Sequence, residues 1–334
     1  MTRWLFTAFS FAVVIAMSVY AVRHNAPDGV TFFIPWQAHA LAFLGFSIEV
    51  ASRSLKLVWS AKAVGARLTL KTAVKTSLGG DFGASITPAR SGAEPARYLI
   101  LAESGMSIPD AMVVMYTELF FEMFSLVAVV GVILFVFDAS AAARVTMTGI
   151  VGVYSAVICS MAVAAVMLTR GTLGDEPPSW TGRFMRGGRW AFVRRWVERI
   201  RGTVAAFKRM RFGWGAMSLL ASFVHVGVRF TILPAIVLSM TSAAVPLGPL
   251  IVWPFTFIYG AGVVPAPAGG GAVEWAFHAA LGGTIPAAAF AASLLWWRFY
   301  TFYLYIAGGA MVAGRMVLRA VREAHEVEEE LGRA

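Results

Sequence analysis

Three ionisable residues stand close together in a stretch that is otherwise poor in water-seeking side chains. Arg90, Glu94 and Arg97 lie within TSLGGDFGASITPARSGAEPARYLIL, residues 76–101. On a helix Arg90 and Glu94 would be one turn apart, with Arg97 three residues beyond Glu94. Two guanidiniums so placed could grip a phosphate through paired donors while Glu94 orients them. The same trio could instead clamp the local fold as an ion-pair cluster. Asp81, in the same stretch, is either a further member or a cap. Glu118 and Glu122, at i and i+4 of an apolar run, need counter-charges, and Arg229 and Arg298 are the candidates. A glutamate left without one would have to hold a proton and could carry it; static pairing is the plainer alternative. His225, one helical turn before Arg229, forms a second candidate phosphate grip, a packed histidine being its ordinary state. Glu274 follows Gly269, Gly270 and Gly271 at an expected helix start, where exposed N–H groups would face an anion. His39 and Glu49 are placed nearer a membrane interface and are left out of this set. With five scattered histidines, the single Cys159 and no HExxH or CxxC pairing, neither a metal nor a cofactor is expected. No GxSxG or P-loop occurs.

Charges of this kind in apolar surroundings need elements that shelter them. The chain is 58% hydrophobic and 14% charged, with mean hydropathy +0.71; soluble domains carry about 25% charged residues. Its long, nearly charge-free runs predict an all-α polytopic membrane protein and exclude an outer-membrane barrel. The net charge of +10 is concentrated in a few segments between apolar runs, the distribution that membrane topology produces, so no nucleic-acid partner is expected.

Taken in order, spans are predicted at about 4–22 and 31–52, followed by a cytoplasmic basic segment, 53–75, with no acidic residue. In the stretch 76–101, Gly79, Gly80, Pro88 and Gly92 are expected to break the helix. Broken backbone at membrane depth survives only under protein or beside a watery cavity, so this stretch is expected to be a re-entrant hairpin. Spans follow at about 109–137 and 145–168, then a second basic cytoplasmic segment, 170–211, rich in aromatics and suited to an anionic membrane surface. A span at 212–238 leads outside, and the last, about 286–312, must return inside if the C-terminus, with Arg315, Arg319 and Arg322 before an acidic tail, is cytoplasmic. Residues 249–283 must then enter and leave on one face, which predicts a second hairpin broken at Pro265, Pro267, Gly269, Gly270 and Gly271. The whole is one transmembrane domain, 1–314, of about six spans and two re-entrant hairpins. Its halves, about 1–140 and 141–314, form an inverted-topology repeat. Both termini are expected in the cytoplasm of a bacterial inner membrane.

The run Thr87-Pro88-Ala89-Arg90-Ser91-Gly92-Ala93-Glu94-Pro95-Ala96-Arg97 resembles the TP-x-R-x-G-(G/A)-EP-x-R signature of the lysylphosphatidylglycerol synthase transmembrane, or flippase-like, family. Residues 265–274 resemble that family's P-x-PGG-x-G-x-x-E segment, and Arg298 falls where the family places an arginine in its final span. The chain departs from the pattern at Leu119, where an arginine is usual, and at Ala268, where a glycine is; both bear on which headgroup is handled. The resemblance implies movement of an anionic or amino-modified lipid, or a lipid-linked intermediate, between leaflets through a polar groove. It does not imply chemistry upon that lipid. Bifunctional members carry a soluble aminoacyl-transferase after the membrane part, and none is expected here. The partners implied are membrane lipids, with room for a separate lipid synthase. An integral lipid-modifying transferase and a non-transporting scaffold are the competing readings.

Overall fold

The structure, a computed structural model, describes residues 32–87, 90–137, 140–170, 188–261 and 271–316, without the side chains of Thr169, Arg189, Phe192, Trp196 and Arg199. Within these residues it is helical, with no strand: α1 (Trp36–Ala63), α2 (Leu70–Ser85), α3 (Ala93–Glu103), α4 (Ile108–Val136), α5 (Ala141–Arg170), α6 (Gly188–Lys208), α7 (Phe212–Arg229), α8 (Ile232–Met240), α9 (Leu247–Gly260), α10 (Ala272–Leu281) and α11 (Ala287–Arg298). A π-helical turn, Phe299–Tyr303, follows α11, and helix continues to residue 316. The predicted first span, residues 171–187 of the second basic segment, and the tail from residue 317 lie outside the described residues. So do the expected breaks at Pro88, Pro265, Pro267, Gly269 and Gly270.

Among the described residues, three helices are long and apolar enough to cross a membrane: Ile108–Val136, Ala141–Leu168 and Phe212–Met240, the last being α7 and α8 together. Their outward faces are apolar, with Phe135 92% exposed and Val153 67% exposed. Pro234 marks the interruption between α7 and α8. It has no N–H for the Phe230 carbonyl and its ring crowds that carbonyl, so the helix is broken at Phe230–Thr231.

Two expectations are corrected. The helix of the span expected at about 31–52 does not end there, because α1 runs on through the start of the basic segment to Ala63. Nor do Gly79 and Gly80 break a helix: both lie inside α2, which ends at Ser85. Their role is close approach. A Cβ on Gly80 would stand 2.6 Å from Arg97 Cγ, and one on Gly83 would stand 2.7 Å from Ala96 Cβ, so bare backbone lets α3 fold back antiparallel against α2. α2 ends at Ser85 and α3 starts at Ala93, and the two ends are tied by the Thr87 hydroxyl, which donates to the Gly83 carbonyl and accepts from the Gly92 N–H. Arg90 sits there with φ +58, a left-handed conformation that a non-glycine residue adopts at some strain.

α1 packs along α7 more extensively than any other described pair, and α4 joins α7 on another side. One apolar core joins α1 to α8–α11 through Ala38, Ile232, Phe277 and Trp297. A second joins α4, α5, α7 and α9 through Leu126, Met147, Val226 and Phe255. The helix after the π turn packs on the α2–α3 pair, where Ala313 meets Ala96 and Ile100.

Candidate functional site

Polar residues recur at helical spacing on three of the packed helices. On α1 they are Glu49, Arg53, Lys56 and Ser60; on α4, Glu118, Glu122 and Ser125; on α7, Ser218, Ser222, His225 and Arg229. Steps of three and four residues put each set on one face, and the three faces meet. Ser60 and Ser218 hydroxyls lie 2.8 Å apart, and Ser125 and Ser222 hydroxyls 2.6 Å apart. The small serines let the backbones approach and hold the seams in register, so the charged residues of all three helices arrive at one depth.

Lys56 is the centre of one ion-pair chain. Its Nζ lies 2.9 Å from Glu118 Oε1 and 2.7 Å from Glu122 Oε2. Arg97 pairs with the other oxygen of Glu118 and, at 3.0 Å, with Glu94. A second chain centres on Glu49, which is fully buried. Its Oε1 lies 3.2 Å from His225 Nε2 and 3.8 Å from both Arg229 and Arg53, and its Oε2 accepts a 2.6 Å hydrogen bond from the Tyr305 hydroxyl. The guanidiniums of Arg53 and Arg229 each stand 5.5 Å from the Tyr305 ring centre, adding a cation–π contribution. Arg53 also binds Asp81, which Arg90 approaches at 3.7 Å.

Both chains open on a cavity of about 280 Å³. Arg53, Arg90, Arg97 and Arg229 line it, as do Asp81, Glu94, Glu118 and Glu122, together with His225 and the rings of Tyr154 and Tyr259. Its walls come from α1, α2, α3, α4, α5, α7 and α9. The most exposed of its charged side chains are those of Arg90 and Glu94, 31% and 46% exposed. The Tyr259 hydroxyl and Arg229 Nε, by contrast, are buried with no hydrogen-bond partner among the described residues. A buried polar atom without a partner is costly, and these two offer unused donors to whatever fills the cavity.

Of the ten candidate site residues, eight line this cavity: Asp81, Arg90, Glu94, Arg97, Glu118, Glu122, His225 and Arg229. Their pairings differ from expectation. Arg90 turns to Asp81 instead of Glu94, because the left-handed turn takes it off the α3 face. Asp81 is not a cap: it lies inside α2 and pairs with Arg53 of α1. Glu274 and Arg298 do not line the cavity. Arg298 Nε donates to Glu274 Oε1 at 2.8 Å, while Glu274 Oε2 accepts from the Gly271 N–H at 2.9 Å and caps α10. Gly271, with φ +80, supplies the sharp entry to that helix. Arg298 is therefore not the counter-charge of Glu118 or Glu122; Lys56 and Arg97 are. Glu49, set aside as interfacial, is at the heart of the second chain. Among the described residues no group of three or more metal-ligating side chains is close enough to hold an ion.

The profile of the family described as the lysylphosphatidylglycerol synthase TM region matches residues 7–309, and the chain belongs to that family. No curated protein matches the chain.

Proposed function

We propose that this member of the family translocates an anionic or amino-modified lipid, or a lipid-linked intermediate, between the leaflets of the inner membrane. In this reading α2–α3 and α9–α10 are re-entrant hairpins from opposite faces of an inverted repeat, and the headgroup crosses through the cavity between them while its acyl tails stay in hydrocarbon.

One observation carries the reading: four arginines and four carboxylates converge on a single cavity among helices of which the long ones, α4 and α5, are apolar on their outward faces. Charges are expensive at membrane depth unless paired or beside a polar cavity, and a set confined to structural pairing has no need of a shared void. Arginine forks suit a lipid phosphate, and the acids beside them suit an amine. The hairpin supplies positioning: α2 and α3 can bring Asp81, Glu94 and Arg97 to the cavity wall only because Gly80 and Gly83 allow the two helices to touch.

Reconstitution tests it. In liposomes containing a fluorescent or aminoacylated phospholipid, the protein should speed exchange between leaflets while mass spectrometry finds the lipid chemically unchanged. Covalent change without transbilayer movement would assign a transferase instead, and neither effect would leave a scaffold.

A further inference from the structure

The charged cavity has an apolar neighbour. A second cavity, of about 610 Å³, lies among α3, α4, α5 and α6, and Met112, Met115, Met161, Ala165 and Phe207 are among its walls. Glu94 and Leu119 line both cavities. An edge-on contact between Phe120 and Phe207, ring centres 5.3 Å apart, holds α6 against α4 along one side. The hydroxyl of Tyr116, another wall residue, is turned away to the Ile158 carbonyl at 2.8 Å. What faces inward is therefore mostly hydrocarbon and thioether.

We propose that this second cavity seats one acyl chain of the same lipid molecule whose headgroup occupies the charged cavity, with Leu119 and Glu94 at the junction of chain and headgroup. The proposal rests on the lipid reading of the charged cavity. The volume falls within the usual range for ligand pockets, about 300–1,000 Å³, and the lining offers a polar ligand little to bind. Three methionines give walls that adapt to chains of differing length and unsaturation. The shared wall is what selects the occupant. A chain leaving bulk lipid for this slot gains little, because bilayer hydrocarbon is as apolar as the slot itself. Preferential occupancy must then come from the attached headgroup, and a chain seated here has its headgroup beside Glu94, on the wall that the two cavities share. The slot would orient the lipid and leave the affinity to the arginines.

Photolabelling of the full chain decides this. The protein is placed in vesicles of phosphatidylethanolamine and phosphatidylglycerol containing a phosphatidylglycerol probe with a diazirine near the end of one acyl chain. It is then irradiated and digested for peptide mass spectrometry. Adducts should concentrate on segments 112–120 and 161–168 well above those on the exposed 132–136 face, and that excess should vanish in Ala165→Trp, which fills the slot, and in Arg90→Gln, which weakens the headgroup grip. Met161→Trp, at an exposed position on the rim, repeats the block should Ala165→Trp fail to fold. Equal labelling around the apolar belt would mean ordinary surrounding lipid only, and overturns the proposal. So does slot labelling that survives Arg90→Gln, because the chain would then belong to a different molecule. Labelling reads occupancy and not movement: leaflet exchange with uniform labelling removes the slot alone, and slot labelling without exchange removes translocation alone.

Discussion

With no exposed surface, the Lys56 ammonium depends on the carboxylates of Glu118 and Glu122 for everything that water would give it. Removing one member of a buried ionic set leaves its partners uncompensated, at a cost of about 3–5 kcal/mol. Lys56→Met should therefore lower the thermal unfolding temperature of the detergent-solubilised protein sharply. Lys56→Met combined with Glu118→Gln and Glu122→Gln should recover most of the loss, since neutral groups need no counter-charge; a single variant as stable as the native chain would contradict this. Arg90 and Glu94 are partly exposed, so Arg90→Gln and Glu94→Gln should stay within about 0.5 kcal/mol of native stability while losing lipid transfer. At this scale the sequence could be read unevenly. Arg90, Glu94, Arg97, Glu118 and Glu122 stood out because charges in apolar runs have to be explained. Lys56 and Arg53 were hidden by their neighbours, since a run of basic residues without acids reads as a cytoplasmic anchor. The step of four, three and four from Glu49 through Arg53 and Lys56 to Ser60 was the available signal that all belong to one buried helical face. Tyr154, Tyr259 and Tyr305 gave no such signal; only the packing of separate helices brings them to the charges.

The α2–α3 pair depends on glycines that look, in the sequence, like helix breakers. Glycine marks either a break or a close approach, and only the partner helix decides which; here Arg97 and Ala96 occupy the space that side chains at Gly80 and Gly83 would need. Gly83→Val should force the two helices apart, destabilise the protein by about 1–3 kcal/mol as overpacking does, and abolish transfer by withdrawing Glu94 and Arg97 from the cavity. Gly131→Ala is the matched control. It lies in α4 with nothing near its added Cβ, and alanine favours helix over glycine by about 0.5–1 kcal/mol, so this variant should be as stable as the native chain or more so in the same thermal unfolding measurement. Equal effects from the two would show that close approach is not what Gly83 provides. The interruption between α7 and α8 was legible at Pro234 but was passed over, because a single apolar run of span length outweighs one proline near its end.

Across the molecule, the ordinary arrangement of a soluble protein is reversed: apolar side chains cover α4 and α5 outside, and charges gather where α1, α4 and α7 meet. Helical content and membrane character followed from composition alone. The site's convergence did not, because three faces with helical periodicity say nothing about which of them meet. Were the two halves the inverted repeat proposed above, α1 would correspond to α7 with α8, and α2–α3 to α9–α10, which would give that convergence a reason. The most direct measurement of the account is the rate at which a fluorescent phosphatidylglycerol exchanges between leaflets of protein-containing liposomes, read by chemical quenching of the outer leaflet. The native chain should exceed protein-free liposomes clearly, and Arg90→Gln should lower that excess by about tenfold or more, the loss expected when a hydrogen bond to a charged group is removed. Exchange no faster than in protein-free liposomes, or equally fast in native and Arg90→Gln protein, would contradict it.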